Sequence, residues 1–162
     1  MNTKMNQKKI NWKMLILYIV GALAAGGIGA LLGGNMDTFN EINKPSFTPP
    51  AIVFPIVWTI LYILMGISSY LVCANNTDKK FKKKACSIYI VQLIVNALWS
   101  LFFFRLRWYL FSLIWLVLLV ALVIWMAIKF YKIKPLSGYL QIPYVLWSIF
   151  ALILTYSINV IN

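Results

Sequence analysis

The sequence contains no histidine, and this absence removes several classes of function. None of its 162 residues is His. Histidine is the usual general base of enzymes, a frequent zinc ligand and the usual axial ligand of haem. A His-dependent hydrolase, most zinc sites and a His-ligated haem are therefore excluded, and we predict no metal site.

Acidic residues are also scarce. Asp37, Glu41 and Asp78 stand against fifteen Lys and Arg, which gives a net charge of +12. None of the charges lies within the long apolar runs, whereas pumps and proton relays need ionisable groups inside the membrane. The basic residues fill short segments between these runs and form no single basic face. We therefore expect no nucleic-acid partner and no ion-coupled transport, with membrane lipid as the counter-charge.

Cysteine occurs twice, as Cys73 near the end of one apolar run and Cys86 near the start of the next. Cysteine in an apolar setting behaves as a small hydrophobic residue. Two cysteines at this spacing form no metal-site motif. The expectation is that both thiols are free.

Hydrophobic residues, by contrast, make up 62% of the chain and charged residues 11%. Soluble domains carry roughly a quarter charged residues, and a helix of about 20 apolar residues crosses a bilayer. The sequence therefore predicts an all-α integral membrane protein, a single domain over residues 1–162. We predict five transmembrane helices, at about 14–35, 51–74, 85–104, 108–129 and 138–160, with a lid loop at 36–50.

The orientation follows from the basic residues. Twelve of the fifteen Lys and Arg fall in the N-terminal segment and in the second and fourth loops, on one side of the membrane. Positive charge is retained on the cytoplasmic side. We therefore expect a cytoplasmic N-terminus and an external C-terminus, in a bacterial cell membrane, with the loop 36–50 outside.

The segment 44–50 holds three of the six prolines, Pro45, Pro49 and Pro50. Each proline fixes its own φ and pushes the preceding residue toward extended geometry. Two interpretations remain open for this rigid corner. It is a stiff loop that enters a helix, or it is a preshaped lid over an aromatic cavity.

Aromatic and weakly polar residues recur at helical spacing within three of the predicted spans. For each stripe, ordinary helix packing is the alternative to a ligand site. A buried amide in hydrocarbon needs a partner, which is either another helix or a ligand's polar group. These residues are Trp58 and Tyr62 in the second helix, Gln92, Asn96 and Trp99 in the third, and Trp147, Phe150 and Ala151 in the fifth.

The first helix carries a face of small residues. Gly29 and Gly33 have the GxxxG spacing that lets two helices approach closely in lipid. The face is compatible with packing inside the bundle, with space for a ligand, or with contact between two copies. A further alternative is a membrane scaffold that recruits other membrane proteins through the Gly29/Gly33 face.

Four ordered blocks of the sequence resemble the TspO/translocator protein family, whose members are also called tryptophan-rich sensory proteins. The similarity extends over about 15–158. The blocks are Lys44-Pro45-x-x-x-Pro49-Pro50 followed by Val53-Phe54, Val57-Trp58-Thr59-x-Leu61-Tyr62-x-x-Met65-Gly66, Gln92-x-x-x-Asn96-x-x-Trp99-x-x-x-Phe103-Phe104, and Pro143-Tyr144-x-x-Trp147-x-x-Phe150-Ala151.

The resemblance implies a five-helix bundle, often a homodimer, whose first long loop caps a cavity. It implies binding of porphyrins such as protoporphyrin IX or haem, with no required cofactor, in a sensor, scavenger or slow transporter. It places Pro49, Trp58, Asn96, Trp99, Trp147 and Ala151 in the pocket, and the helix faces above add Tyr62, Gln92 and Phe150. Those three would complete the ligand-binding set.

An alternative function implied by the same resemblance is light- and oxygen-dependent breakdown of the porphyrin, with Trp58 and Trp147 as the catalytic indoles. Two positions depart from the family pattern: Phe47 replaces a usual tryptophan and Thr155 a common asparagine. No basic residue follows Tyr156. The proposed cholesterol motif requires one, so cholesterol binding at that place is not predicted.

Overall fold

The computed structural model describes residues 10–34, 39, 41–74 and 78–162, and all regular structure in these residues is helical. The prediction of an all-α fold is confirmed. The segments 1–9, 35–38, 40 and 75–77, which include part of the predicted lid loop, lie outside the described residues. The helices are α1 (Trp12–Gly33), α2 (Val53–Cys73), α3 (Lys79–Ser100), α4 (Tyr109–Ile133), α5 (Pro135–Tyr139) and α6 (Ile142–Ile161), and a π-helical turn (Leu101–Arg105) continues α3.

Five helical segments in the described part of the chain are long and apolar enough to cross a membrane. They are α1, α2, α3 with its π-helical turn, α4, and α5 together with α6. Large apolar side chains point outward along their length, such as Leu31, which is 80% exposed, and Leu110 and Val160. Such a surface suits lipid and not water. The chain is an integral membrane protein.

Helix α1 has a defined signal at each end. The side-chain oxygen of Asn11 accepts a hydrogen bond of 3.2 Å from the backbone N–H of Met14, which satisfies one of the free donors of the first turn. Gly34 ends the helix with φ of 76°, a conformation that glycine adopts without a steric penalty.

Helix α3 begins at Lys79, six residues before the predicted start at 85. The Asp78 side chain accepts a hydrogen bond of 3.0 Å from the Lys80 backbone and so caps the first turn. Lysine is a good helix former, and the basic segment 79–84 therefore forms the first turns of α3 and not a loop. Apolar run length locates the membrane core of a span, whereas capping decides where its helix begins.

The two cysteines are joined by a disulfide, so the expectation of free thiols is wrong. Helix α2 ends at Cys73 and α3 starts at Lys79. This short connection makes the two helices antiparallel neighbours and places the Cα atoms of Cys73 and Cys86 6.2 Å apart, a separation that a disulfide spans. The sequence spacing alone gave no sign of this pairing.

The small residues of α1 are used inside the bundle. A Cβ at Gly29 would lie 3.1 Å from the Cα of Ala97, and one at Gly33 would lie 3.3 Å from the Cβ of Ser100, both in α3. The Gly29/Gly33 face is therefore covered within the chain, so the scaffold alternative, which stays a prediction, would need another face. A homodimer stays a prediction, and its interface would have to use another face.

The fifth span consists of two helices. Pro135 begins the short helix α5, where its missing N–H leaves no intrahelical bond unmade. The Ser68 hydroxyl of α2 donates a hydrogen bond of 2.8 Å to the backbone carbonyl of Ser137 and fixes α5 against α2. The long helix α6 then starts at Ile142, later than the predicted 138.

Candidate functional site

A cavity of about 230 Å³ lies between α1, α2, the end of α3 and α6. It is at the end of the bundle where α1 finishes and α2 begins. Its walls are almost entirely apolar and aromatic. The lining residues are Gly26, Ala30, Gly33, Gly34, Phe39, Phe54, Pro55, Trp58, Tyr62, Asn96, Trp99, Ser100, Phe103, Phe104, Trp147, Ala151, Leu154, Thr155 and Ile158.

Three indoles from three separate spans line this cavity: Trp58 of α2, Trp99 of α3 and Trp147 of α6. Each is held by a neighbouring ring. The ring centroids of Trp58 and Tyr62 are 5.6 Å apart, and those of Trp147 and Phe54 are 5.9 Å apart. Aromatic pairs at these distances are attractive by about 0.5–1.5 kcal/mol beyond area burial. The indoles thus form walls with defined positions.

The ring nitrogen of Trp99 is buried and has no hydrogen-bond partner among the described residues. The Trp99 ring stacks on Phe103 with centroids 4.9 Å apart, which fixes its orientation. Leaving a buried donor unpaired costs about 1–3 kcal/mol. This nitrogen has almost no accessible surface, so a ligand's acceptor would reach it only after a small shift of the ring.

A buried hydrogen-bond chain runs from α3 to α6 beside the cavity. The side-chain nitrogen of Asn96 donates to the Tyr144 hydroxyl at 2.8 Å, and this hydroxyl donates to the side-chain oxygen of Gln92 at 2.9 Å. The Gln92 nitrogen lies 3.7 Å from the sulfur of Met65 in α2. Gln92 therefore ties helices together, whereas Asn96 does so and also lines the cavity.

The π-helical turn at the end of α3 directs two consecutive rings into the cavity. Phe103 and Phe104 both lie in this turn and both line the wall. A π-helical turn holds more residues than an α-helical one and is frequent at functional sites. The wider turn brings positions four and five residues after Trp99 onto the same face.

Gly26 of α1 makes room for one wall of the cavity. A Cβ at this position would collide with the ring of Tyr62, whose Cζ it would approach to 2.8 Å. Gly26 and Tyr62 both line the cavity. The absence of a side chain on α1 therefore lets the Tyr62 ring lie where it does.

The segment 41–52 lies at the cavity end of the bundle, where Ile42 is buried in an apolar cluster and Phe47 packs against Phe150. It also has two polar ties. Glu41 forms an ion pair of 2.7 Å with Arg107, which lies in the connection between α3 and α4. The backbone N–H of Asn43 donates to the side-chain oxygen of Asn162 at 3.0 Å. The proline corner also contains a turn in which the Thr48 N–H bonds the Pro45 carbonyl at 3.0 Å. No residue of 41–52 is among those that line the cavity, so the lid interpretation of this segment stays a prediction.

Two phenyl rings meet next to this segment. Phe39 is only 4% exposed and lies 5.2 Å from Phe54, centroid to centroid. The Lys44 ammonium donates to the Phe39 carbonyl at 2.8 Å and lies 4.8 Å from its ring centre. Phe39 therefore closes the cavity between the segment 41–52 and α2.

The structure places the predicted site residues in two groups. Three of them are not in the cavity wall. Pro49 is half-buried in the segment 41–52, and Gln92 is in the hydrogen-bond chain that bridges helices. Phe150 lies on an outer apolar groove between α2 and α6. The residues that do line the cavity are Trp58, Tyr62, Asn96, Trp99, Trp147 and Ala151.

The sequence analysis did not assign several wall residues to the site. Phe54, Phe103 and Phe104 are aromatic and belong to the family-like blocks, so a signal for them was present. Phe39 gave no such signal, because nothing in its neighbourhood indicates that the chain folds back there. Thr155, noted only as a departure from the family pattern, is 2% exposed and lines the cavity.

The wall residues that the structure describes include no Asp, Glu, Lys, Arg, Cys or Met. Their polar side-chain groups are the hydroxyls of Tyr62, Ser100 and Thr155, the Asn96 amide and the indole nitrogens. The described residues hold no cluster of metal-binding side chains. The arrangement suits an apolar planar molecule with a few polar atoms, not general acid–base chemistry.

Fold and site together define a class: a five-span membrane protein whose helices enclose an aromatic cavity. The model of the TspO/MBR family matches residues 15–161. The chain belongs to this family.

Relatives from distant organisms support this assignment. Protein CrtK of Rhodobacter capsulatus is 32% identical over 149 residues, which cover 92% of each chain. The tryptophan-rich protein TspO of Archaeoglobus fulgidus is 32% identical and covers 94% of this chain and 99% of its own. The human translocator protein is 32% identical over 78% of this chain and 75% of its own.

Proposed function

We propose that the protein binds planar apolar ligands of the tetrapyrrole class, such as protoporphyrin IX, in this cavity, and acts as a sensor, scavenger or slow transporter. The observation that carries the proposal is the presence of three indoles from separate spans around one apolar space. A flat π-system stacks on such rings, and an apolar body is removed from the surrounding water and headgroups. A relative in Cereibacter sphaeroides is named a tryptophan-rich sensory protein, which favours the sensor role.

Size adds a requirement to the proposal. The cavity of about 230 Å³ is smaller than the roughly 300–1,000 Å³ usual for small-molecule sites. A porphyrin therefore enters only when Phe39, Tyr62 or the lid moves outward. The polar anchors of the lid are one exposed ion pair and the Asn43–Asn162 contact, and its outward movement would also have to release Ile42 and Phe47 from their apolar contacts.

The polar edge of the ligand has two partners. The Trp99 indole N–H is free to donate, and the Asn96 oxygen takes part in no hydrogen bond among the described residues. A carboxyl, carbonyl or ring nitrogen of the ligand that accepts from Trp99 would relieve the cost of the unpaired donor. This pairing would select ligands with an acceptor at one edge.

The lid end of the bundle is, in this proposal, the external side. The cytoplasmic side then holds the N-terminus and the basic start of α3, in agreement with the retention of positive charge inside. Ligand would be captured from outside or from the outer leaflet. Labelling of single cysteines introduced at Ser46 and Lys80 in a Cys73→Ser/Cys86→Ser background, in intact cells, decides the orientation.

A titration followed by the porphyrin Soret band tests the binding. Protoporphyrin IX is added to purified protein in detergent or nanodiscs. Trp147→Leu is expected to weaken binding about tenfold, from the loss of one stacking wall. Trp12→Leu is the matched control, since Trp12 is 65% exposed and far from the cavity. Equal affinities of wild type and Trp147→Leu would overturn the proposed site.

A second candidate function is photo-oxidation of the bound porphyrin, with light as the source of excitation and O₂ as the oxidant. The observation that favours it is that Trp58 and Trp147 both line the cavity. Protoporphyrin IX is illuminated in air with wild type, Trp58→Phe and Trp147→Phe, each saturated with ligand. Slower bleaching in either variant supports the reaction, and equal bleaching in all three eliminates it.

A further inference from the structure

A second recess lies at the opposite end of the bundle from the aromatic cavity. It has a volume of about 640 Å³ and opens between the start of α1, the end of α2 and the start of α3. We refer to it as the basal groove. Its lining residues are Met14, Leu17, Tyr18, Gly21, Ala22, Cys73, Lys79, Lys82, Lys83, Cys86, Tyr89, Ile90 and Leu93.

The basal groove is charged at one end only. Lys79, Lys82 and Lys83 lie in the first turns of α3, and no Asp or Glu is among the lining residues. Farther along α3 the wall consists of apolar and aromatic side chains, down to Ile90 and Leu93. A cationic end that continues into an apolar channel is complementary to an amphiphile with an anionic head.

The dimensions match the depth of one lipid leaflet. From Lys79 to Leu93 the helix rises about 21 Å, at about 1.5 Å per residue. One leaflet contributes roughly 15 Å of hydrocarbon, half of the bilayer core. A headgroup at the lysines therefore leaves an acyl chain of the same leaflet beside Ile90 and Leu93.

Gly21 provides the space along the α1 wall. A Cβ at this position would meet nothing within 4 Å. The wall of the groove is therefore open at Gly21, on the side that faces the membrane. The segment 1–9 is not favoured as the occupant by charge, because it carries Lys4, Lys8 and Lys9 and no acidic residue.

We propose that the basal groove binds one anionic phospholipid of the surrounding membrane. Its phosphate lies at Lys79 and Lys83, and one acyl chain runs along α1 and α3 past Gly21. The site is separate from the aromatic cavity, and it does not depend on the proposed porphyrin binding. It is a specific site and not part of the general shell of lipid around the protein.

The first experiment removes the charge. Native mass spectrometry measures the binding of dioleoyl phosphatidylglycerol and dioleoyl phosphatidylcholine to purified protein. Wild type is expected to retain one phosphatidylglycerol preferentially. Lys79→Gln/Lys83→Gln is expected to lower this affinity by about 25-fold, since each lysine near an anionic lipid surface contributes about fivefold. The control Lys132→Gln/Lys134→Gln removes equal charge at the α4–α5 connection and is expected to change it less than twofold.

The second experiment blocks the channel and leaves every charge in place. Gly21→Leu puts a side chain into the groove, and Gly27→Leu puts the same side chain elsewhere on α1, where a Cβ also meets nothing within 4 Å. We expect Gly21→Leu to lower phosphatidylglycerol binding at least fivefold and Gly27→Leu to leave it unchanged. Glycerol 1-phosphate, the headgroup fragment without a chain, should fail to displace the lipid at millimolar concentration.

Three results would overturn the proposal. One is equal retention of phosphatidylglycerol and phosphatidylcholine by wild type. Another is an equal loss in the two lysine pairs, which would mean non-specific attraction to a basic surface. The third is unchanged binding in Gly21→Leu. Unaltered thermal midpoints of the variants establish that they fold, and the porphyrin titration, run on the same samples, reports the other site separately.

Discussion

The side-chain nitrogen of Asn96 donates a 2.8 Å hydrogen bond to the hydroxyl of Tyr144. This bond joins α3 to α6 at the edge of the aromatic cavity. The same hydroxyl donates to the side-chain oxygen of Gln92, so one oxygen atom pairs with one group of each buried amide of α3. The two amides that were predicted to contact a ligand therefore form hydrogen bonds with Tyr144 of α6.

Removal of that oxygen should loosen the bundle. In Tyr144→Phe the ring remains, but two buried amides lose their shared partner. Hydrogen bonds between membrane helices contribute on the order of 1 kcal/mol, and we expect a loss of stability of that size. Tyr156→Phe is the control, because Tyr156 is on the same helix and 58% exposed. Thermal unfolding in detergent measures the stability of both variants. If Tyr144→Phe unfolded at the same temperature as Tyr156→Phe, the hydrogen bonds of the Tyr144 hydroxyl would contribute no stability.

Two tryptophans differ in what their ring nitrogens do. The Trp115 nitrogen donates to the Val95 carbonyl at 2.8 Å, whereas the Trp99 nitrogen has no partner in the described part of the chain. Trp115→Phe should therefore lower stability by about 1 kcal/mol and leave porphyrin affinity unchanged. Trp99→Phe should leave stability unchanged and lower that affinity two- to tenfold. The same effect of both changes on porphyrin affinity would contradict the donor role of Trp99.

Gly26 offers a test of the cavity wall. In Gly26→Ala the new methyl group displaces the Tyr62 ring, which lines the cavity. We expect porphyrin affinity to fall at least tenfold. Gly27→Ala, one residue along the same helix, adds its methyl group where nothing lies within 4 Å, and it should bind as wild type does. Soret titrations compare the porphyrin affinities of Gly26→Ala and Gly27→Ala. Equal affinities would show that the ligand does not bind beside Tyr62.

The ion pair between Glu41 and Arg107 should control ligand rates and not stability. Its two side chains are 60% and 52% exposed, and exposed pairs add little to folding stability. In Arg107→Gln the lid loses one anchor, so porphyrin should associate and dissociate several times faster at an unchanged thermal midpoint. Stopped-flow absorbance measures these rates. Arg105→Gln, two residues earlier, is the control, and a similar acceleration there would exclude a role for the ion pair.

The absence of histidine predicts a preference among porphyrins. Among the described residues the cavity wall has no Cys or Met, and Tyr62 is the one of them that is a known haem-ligand type. We therefore expect metal-free protoporphyrin IX to bind at least as tightly as haem. Titrations with both ligands compare the affinities. Markedly tighter binding of haem, with the spectrum of a coordinated axial ligand, would contradict this expectation.

The fold could be predicted because the bilayer imposes a simple rule on sequence. Backbone groups in hydrocarbon must be paired within their own segment, so an uncharged run of about 20 residues has to be a helix. Trp58, Trp99 and Trp147 could be selected for a related reason. Large aromatic residues on faces that also carry small or polar residues are expected to point into the bundle.

The site was harder to predict where a residue's role depends on its neighbours in space. In the sequence, Gln92 and Asn96 are both amides on the same helix face, and either could contact a ligand or another helix. Only the hydrogen bond to the Tyr144 hydroxyl assigns Gln92 to helix bridging. Phe150 lies one residue before Ala151, and the rotation of α6 turns the two toward different sides. The side of a helix that faces a cavity is set by contacts between helices, which a single sequence does not contain.

The sequence by itself determined the five spans, their membrane setting and the aromatic character of the interior, because local hydropathy and length decide these properties. Tertiary structure alone decided the partner of each cysteine, the use of Gly29 and Gly33 within the chain, and the cavity itself. These depend on which helix faces which. That arrangement is a balance of side-chain packing over the whole bundle, and no short stretch of residues encodes it.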